Sequence, residues 1–405
     1  MKTKRMLRVI DPPIVQIMQD VEAIAPKNKK LLTFGQGVPF YGPPEEILAK
    51  IFDPWKNDNH FVHRYNIDSG VKSFRKLIAA KEKSQYNAVN SISEEKILVT
   101  AGANQACYSV IKSICISGDE VILLTPFYFN HQMALEMEDL KIKYVPVNSE
   151  TLQIDFSTLK KAITNNTRLI IIVNPNNPTG VLMTRKELQQ LEEIILEFPN
   201  LYLMADETYA DFIFEPEETG PFTSIVSFGS ELVERTFIVR SFSKAWGMAG
   251  WRLGYLIFPE QFHDSLLKIQ DTIVISASVP AQILAENCLT WSKSTQWLDE
   301  KISQLNKVRE VIRKRILELP CFRLPMASGK AGFYFFPELL LKKEVSAKEM
   351  VYDLVKEQAV VLLPGEPFGS SWKNFVRFSF GNVIYEDAIE ALDRIERYCK
   401  TSNLF

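Results

Sequence analysis

The stretch SFSKAWGMAGWRLGY (Ser241–Tyr255) sets Lys244 among small and apolar neighbours. An amine in such surroundings is poorly solvated, so its pKa falls and it becomes a nucleophile suited to Schiff-base chemistry. Ser241 and Ser243 stand just before it, and Arg252 follows between Gly250 and Gly254. Hydroxyls and a guanidinium together make a phosphate site. GANQA (Gly102–Ala106) follows a strand-like run and opens a helical pattern, which puts the backbone N–H groups of Gly102, Ala103 and Asn104 at the positive end of a helix. Each feature alone has a plain structural reading. Lys244 could be a solvated surface lysine, GANQA an ordinary strand-to-helix turn, Asp206 in ADETY a helix cap, and NPNNPTG an Asn-Pro turn. Their placement in the chain argues for more.

Chemistry spread over so many segments needs a frame that brings them together. Seven short runs, Lys96–Thr100, Glu120–Leu124, Lys143–Val147, Leu169–Val173, Tyr202–Asp206, Phe237–Ser241 and Leu253–Phe258, are rich in β-branched or aromatic residues. Several are apolar on both faces, which predicts strands buried in a mostly parallel sheet. Helical patterns separate them, as at Thr184–Glu197, where Leu188, Leu191, Ile194 and Ile195 recur at helical spacing. The alternation predicts an α/β architecture with helices on both sheet faces. The last two runs leave no room for a crossover helix, so one sheet edge is expected to be antiparallel. In such sheets ligands collect outside the carboxyl ends of the strands. Five of the runs end in AGANQA, TPFYFNH, NPNNPTG, ADETYADF and RSFSKAWGMAGWR, so Gly, Asn, Asp, Tyr, Ser and Lys converge where a ligand would lie.

The pattern changes after residue 290. Ser292–Ile316 reads as one long amphipathic helix, followed by strand-like Gly332–Phe336, a helix near Ala347–Glu357, strand-like Val360–Pro364 and Asn374–Phe380, and a closing helix at Glu386–Tyr398. This α+β pattern predicts a smaller domain at 291–405 beside a larger one at 45–290, with the segment 1–44 packing on the smaller domain or crossing a subunit boundary. A length of 405 residues suits this division. With 47 Lys and Arg against 49 Asp and Glu, the net charge of −2 gives no reason to expect a nucleic-acid partner. The longest apolar runs, such as Leu169–Val173, fall far short of the roughly 18 residues of a membrane span. The basic N-terminus is followed by no apolar h-region, and the five cysteines include no CxxC pair and read as reduced core thiols. These features predict a cytoplasmic protein with neither a membrane nor a nucleic-acid partner.

A Schiff-base lysine beside a phosphate site points to pyridoxal phosphate, and Ser241–Tyr255 resembles, position for position, the lysine-attachment signature of the class I/II aminotransferases. The resemblance runs in the expected order from about Gly35 to Arg377, nearly the whole chain. It implies fold type I: a large domain with a seven-stranded mostly parallel sheet, a smaller α+β domain, and a homodimer with shared active sites. It further implies that Lys244 holds the cofactor and moves the substrate's α-proton as base and acid. Asp206 then pairs with the pyridinium nitrogen and keeps it protonated, so that the ring serves as an electron sink. Tyr209 and Asn177 hydrogen-bond the ring phenolate from two sides, Tyr128 stacks on the ring, and His131 supports Asp206. Gly102, Ala103, Asn104, Ser241, Ser243 and Arg252 take the phosphate, and Tyr65, followed by Gly70 and Arg75, reaches the phosphate across a dimer interface. Arg377 in FVRFSF holds the substrate carboxylate bidentately, with Asn177 beside it and Gly37 as a close-approach glycine near the substrate. No role calls for a metal.

TAGANQA, PFYFNH, SFSKAWGMAGWRLGY and KIQD look most like the branch of aromatic and methionine aminotransferases, which implies ping-pong transfer of an amino group to a 2-oxo acid. Dicarboxylate-specific relatives set a cation against the distal carboxylate. Here Gln270–Pro280 holds no arginine, and Asn104 stands where a lysine would fall in the phosphate loop. A buried carboxylate with no cation is costly to desolvate, so neutral, apolar or aromatic donors such as methionine and phenylalanine are expected over aspartate. The same lysine, aspartate and arginine would also serve a β-lyase, an aminocyclopropane-carboxylate synthase, or a decarboxylase or oxidase. A ligand-sensing regulator on this fold would carry an added DNA-binding domain, for which residues 1–34 leave too little room.

Overall fold

The seven apolar runs pair into one sheet. In the computed structural model, which describes residues 3, 5–51, 60–89, 92–342, 345–402 and 404, they form β1 (Ile97–Thr100), β2 (Glu120–Thr125), β3 (Lys141–Pro146), β4 (Thr167–Val173), β5 (Tyr202–Asp206), β6 (Thr236–Ser241) and β7 (Gly254–Ile257). Their spatial order is β1-β7-β6-β5-β4-β2-β3. Pairings among β2 to β6 are parallel, as buried apolar strands joined by helices require. Alternate residues feed two cores, one per face. Val99, Ile170, Ile172, Leu203 and Ile238 join one cluster, while Leu98, Ile171, Met204, Phe237 and Val239 join the other.

The antiparallel strand is not at an edge, as the sequence pattern suggested. β7 runs antiparallel to both β6 and β1, and β1 is the edge strand. The connection 242–253 carries the lysine loop instead of a crossover helix, so β7 turns back beside β6. Its free side then needs a hydrogen-bonding partner, and β1, distant in sequence, supplies it. The arrangement has a functional consequence. Gly254 pairs with Thr100 on one side and Ser241 on the other, which brings the GANQA loop, Arg252 and the lysine loop to one end of the sheet. The pairs Val173–Asp206 and Asp206–Val239 align the ends of β4, β5 and β6 at that same end.

The helices begin and end for local reasons. Thr184 caps the helix Arg185–Glu197 in a reciprocal capping box with Glu187, and the helix buries Leu188, Leu191, Ile194 and Ile195. The long helix is Ser294–Glu318, and the closing helix is Tyr385–Thr401. Between them, Val376–Ser379 pairs antiparallel with Tyr334–Phe335 and with Leu363–Pro364. The run Val360–Pro364 splits, because Val360–Val361 pairs instead with Leu32–Thr33 of the N-terminal segment. Ile17 and Val21 of the helix Pro13–Ile24 pack with Val355, Val361 and Leu363. All five cysteines are free thiols, three of them buried. Among the described residues, no single helix is long and apolar enough to cross a membrane.

Candidate active site

A cavity of about 130 Å³ opens at this end of the sheet. Ala103, Asn104, Tyr128, Asn177, Asp206, Tyr209, Ser241, Ser243, Lys244 and Arg252 all line it, together with Thr208. At one end Gly102 caps the helix Ala103–Ile114 with φ +84°. The backbone conformation calls for glycine, and a Cβ there would lie 2.4 Å from Nη2 of Arg252 and push the guanidinium aside. Arg252 donates from Nη1 to the carbonyl of Ala249 (2.8 Å) and from Nη2 to that of Ala101 (3.3 Å), which tethers it over the helix start. The hydroxyl of Ser241 accepts from the backbone N–H of Ser243 at 3.1 Å. Helix N–H groups, hydroxyls and a guanidinium form an anion cradle.

At the other end Asp206 closes β5, with Oδ2 3.4 Å from Nε2 of His131 and Oδ1 accepting from the Thr208 N–H at 3.1 Å. Burial pushes the Asp206 carboxyl up, but the hydrogen bond and charge of His131, with Thr208, outweigh it and hold the carboxyl below its usual value. Cys107 Sγ lies 3.5 Å from the same His131 nitrogen, and burial pushes its thiol up. Tyr128 meets His131 edge-on, with centroids 5.5 Å apart. Lys244 donates from Nζ to the carbonyl of Gly37 at 2.5 Å. Burial, then the charge of Arg377, lowers its pKa to about 8, so the lysine is tuned toward a neutral amine.

Arg377 is fully buried and donates to Asn177 Oδ1 (2.9 Å) and to the carbonyl of Gly35 (2.6 Å). Tyr65 stands apart. It is 84% exposed and lies with Arg64 on a second concavity beside Ser276–Val279. Arg75 is structural, bonding the carbonyl of Gly70 at 3.2 Å. The Tyr334 hydroxyl lies 2.2 Å from where a Cβ on Gly37 would stand. Three neighbours of the site escaped the sequence reading: Tyr334, Thr208 and Cys107. Tyr334 lies in an aromatic run where it reads as core, and Cys107 lies one turn into a helix with an ordinary apolar face. Thr208 follows Asp206 in the ADETY motif, and an i to i+2 backbone bond to an aspartate was the signal available there.

Residues 29–395 match the family described as aminotransferase class I and II. The chain is 28% identical over 402 residues to aromatic-amino-acid aminotransferase 2 of Thermococcus litoralis, covering 98% of each chain. It is 30% identical over 384 residues to an aspartate aminotransferase of Sulfolobus acidocaldarius, covering 91% of this chain and 92% of the other. The crystal structure of an aromatic aminotransferase from Pyrococcus horikoshii superposes with a TM-score of 0.85 at 28% identity, covering 95% of this chain and 98% of that one. The protein belongs to the class I/II aminotransferase family, and its fold is fold type I. It is a pyridoxal-phosphate-dependent transaminase, acting on amino and 2-oxo acids. The cavity fits that cofactor: its lining brings together an anion cradle, a carboxylate of lowered pKa and a lysine of lowered pKa.

Proposed function

We propose that the protein transfers the amino group of a neutral, apolar or aromatic L-amino acid, of the methionine or phenylalanine type, to a 2-oxo acid by a ping-pong mechanism. The convergence of Lys244, Asp206 and the Gly102–Arg252 cradle in one cavity is the observation that carries it. When bound, pyridoxal phosphate supplies the electron sink for the pair left on the substrate's α-carbon. Lys244 attaches it and, once released, takes and returns the α-proton, for which a pKa near 8 suits an amine at neutral pH. Asp206, kept anionic, holds a proton on the pyridine nitrogen. Tyr209 and Asn177 would bond the ring oxygen, Tyr128 would face the ring, and the Ala103 and Asn104 amides with Ser241, Ser243 and Arg252 would hold the phosphate, whereas the Gly102 N–H expected to join them is spent on the Thr100 carbonyl at 2.8 Å. Arg377 orients the substrate carboxylate.

The charge inventory supports the choice of donor. Among the described residues lining the cavity, the cations are Lys244 and Arg252, and both have other tasks. Asn104, at the position where the resemblance to dicarboxylate-specific relatives would call for a lysine, is a neutral lining residue. A dicarboxylate side chain in this cavity would find no spare cation among the lining residues of its own chain. The relatives carry both aromatic and aspartate names and do not decide the matter. We further propose that 45–290 and 291–405 are two domains with 1–44 packed on the second, and that the protein is a cytoplasmic homodimer in which Tyr65 reaches the partner's phosphate. The exposure of Tyr65 supports that role. Single-turnover rates of the holoenzyme with methionine, phenylalanine and aspartate test the specificity. Methionine and phenylalanine should react faster, and a faster rate with aspartate would overturn the assignment.

A further inference from the structure

We infer that Tyr334 is a positioning residue that couples the cofactor's ring oxygen to the substrate carboxylate site. The inference rests on the roles proposed above for Tyr209 and Arg377. Tyr334 is fully buried on the short strand Tyr334–Phe335, paired through Ser379 to the strand that carries Arg377. Its hydroxyl lies 2.6 Å from the hydroxyl of Tyr209. Its ring centroid lies 4.8 Å from the Arg377 guanidinium carbon, and Phe368 lies 5.1 Å away as a second aromatic neighbour. The same hydroxyl occupies the space a side chain at Gly37 would claim, and the Gly37 carbonyl receives Lys244. One side chain thus touches Tyr209, Arg377 and Gly37.

Proton counting fixes the direction of the tyrosine pair. Tyr209 has one hydroxyl proton, and its proposed role spends that proton on the cofactor's ring oxygen. Its oxygen must then accept, so Tyr334 donates. A hydroxyl whose oxygen accepts a hydrogen bond is itself polarised into a stronger donor. Tyr334 therefore strengthens the bond from Tyr209 to the cofactor, while its ring holds the guanidinium of Arg377 in place by cation–π contact. Removing the hydroxyl and removing the ring should have separable effects.

The test uses the holoenzyme. Tyr334→Phe keeps the ring and loses the hydroxyl. Weaker donation to the ring oxygen leaves more negative charge beside the nitrogen that titrates in the visible spectrum, so the midpoint of that pH titration should rise by roughly half a unit or more. KM for methionine should stay within about twofold. Tyr334→Leu also loses the ring, and KM should rise by roughly 3- to 30-fold, the range expected for a desolvated cation–π contact. In a Tyr209→Phe background, Tyr334→Phe should shift the midpoint no further. An unchanged midpoint in Tyr334→Phe, or the same shift with and without Tyr209, would reduce Tyr334 to core packing even if Tyr334→Leu fails to fold. If the parent enzyme itself shows no pH-dependent visible band, the proposed roles of the site fail instead, and the inference falls with them.

Discussion

Lys244 is held by two opposing requirements, since it must be buried enough to lose its proton and near enough to anions to stay in place. Burial and Arg377 lower its pKa to about 8, and Asp206 pulls the other way. Covalent capture of pyridoxal phosphate by the apoenzyme needs the neutral amine. Its rate should therefore climb as pH rises through about 8 and level off above, and a flat profile from pH 6 to 9 would contradict the tuning. Asp206→Ala should still bind cofactor through the phosphate cradle yet lose at least about a hundredfold in kcat, since electrostatic stabilisation at a reacting centre is worth that much. Turnover at the parent rate would remove Asp206 from the chemistry. At this scale the sequence was highly legible, because Lys244, Asp206 and Arg252 stand in motifs whose flanks are unusual for their residue types. Tyr334 was not legible, because nothing in Gly332–Phe336 separates a hydroxyl spent on a partner tyrosine from one more core ring.

The elements carry these groups on a stiff frame. Behind the cofactor end, Arg240 of β6 lies 3.0 Å from Glu82 and 3.1 Å from Glu207, all three buried. Tyr255 of β7 donates to Glu82 at 2.6 Å, and Ser224 donates to Glu207 at 2.7 Å. This cluster adjoins Asp206 in sequence and ties β6, β7 and the helix Lys72–Tyr86 together. Arg240→Leu would leave two carboxylates buried without their cation, and should cost roughly 3–5 kcal/mol in urea unfolding. A loss below about 1 kcal/mol would show that the cluster is solvated or protonated instead. Gly102→Val should weaken cofactor affinity by tenfold or more, because φ +84° and the 2.4 Å approach of Arg252 both resist a side chain. The seven strands were legible because each run is short and rich in β-branched or aromatic residues, and most are apolar, β3 with its two lysines excepted. The internal place of β7 was not, since its pairing with β1 joins segments about 150 residues apart and no local pattern encodes it.

At the scale of the whole molecule, the proposed homodimer would use a second copy to complete one face of the site. Tyr65 is exposed beside Arg64 and Ser276–Val279, away from the cavity of its own chain. The protein should sediment as a dimer, and Tyr65→Phe should raise the dissociation constant for pyridoxal phosphate by several-fold with little change in Tm, since the loss is one hydrogen bond to a charged group. An active monomer would contradict the shared site.

The most direct test of the central claim is the visible spectrum of purified holoenzyme, recorded while methionine is added with no 2-oxo acid present. The parent cofactor band should disappear with one equivalent of 2-oxo acid per site and no ammonia, and Lys244→Ala should show neither the parent band nor the product. A parent band that returns unchanged while ammonia, carbon dioxide or a thiol accumulates would contradict transamination at this site.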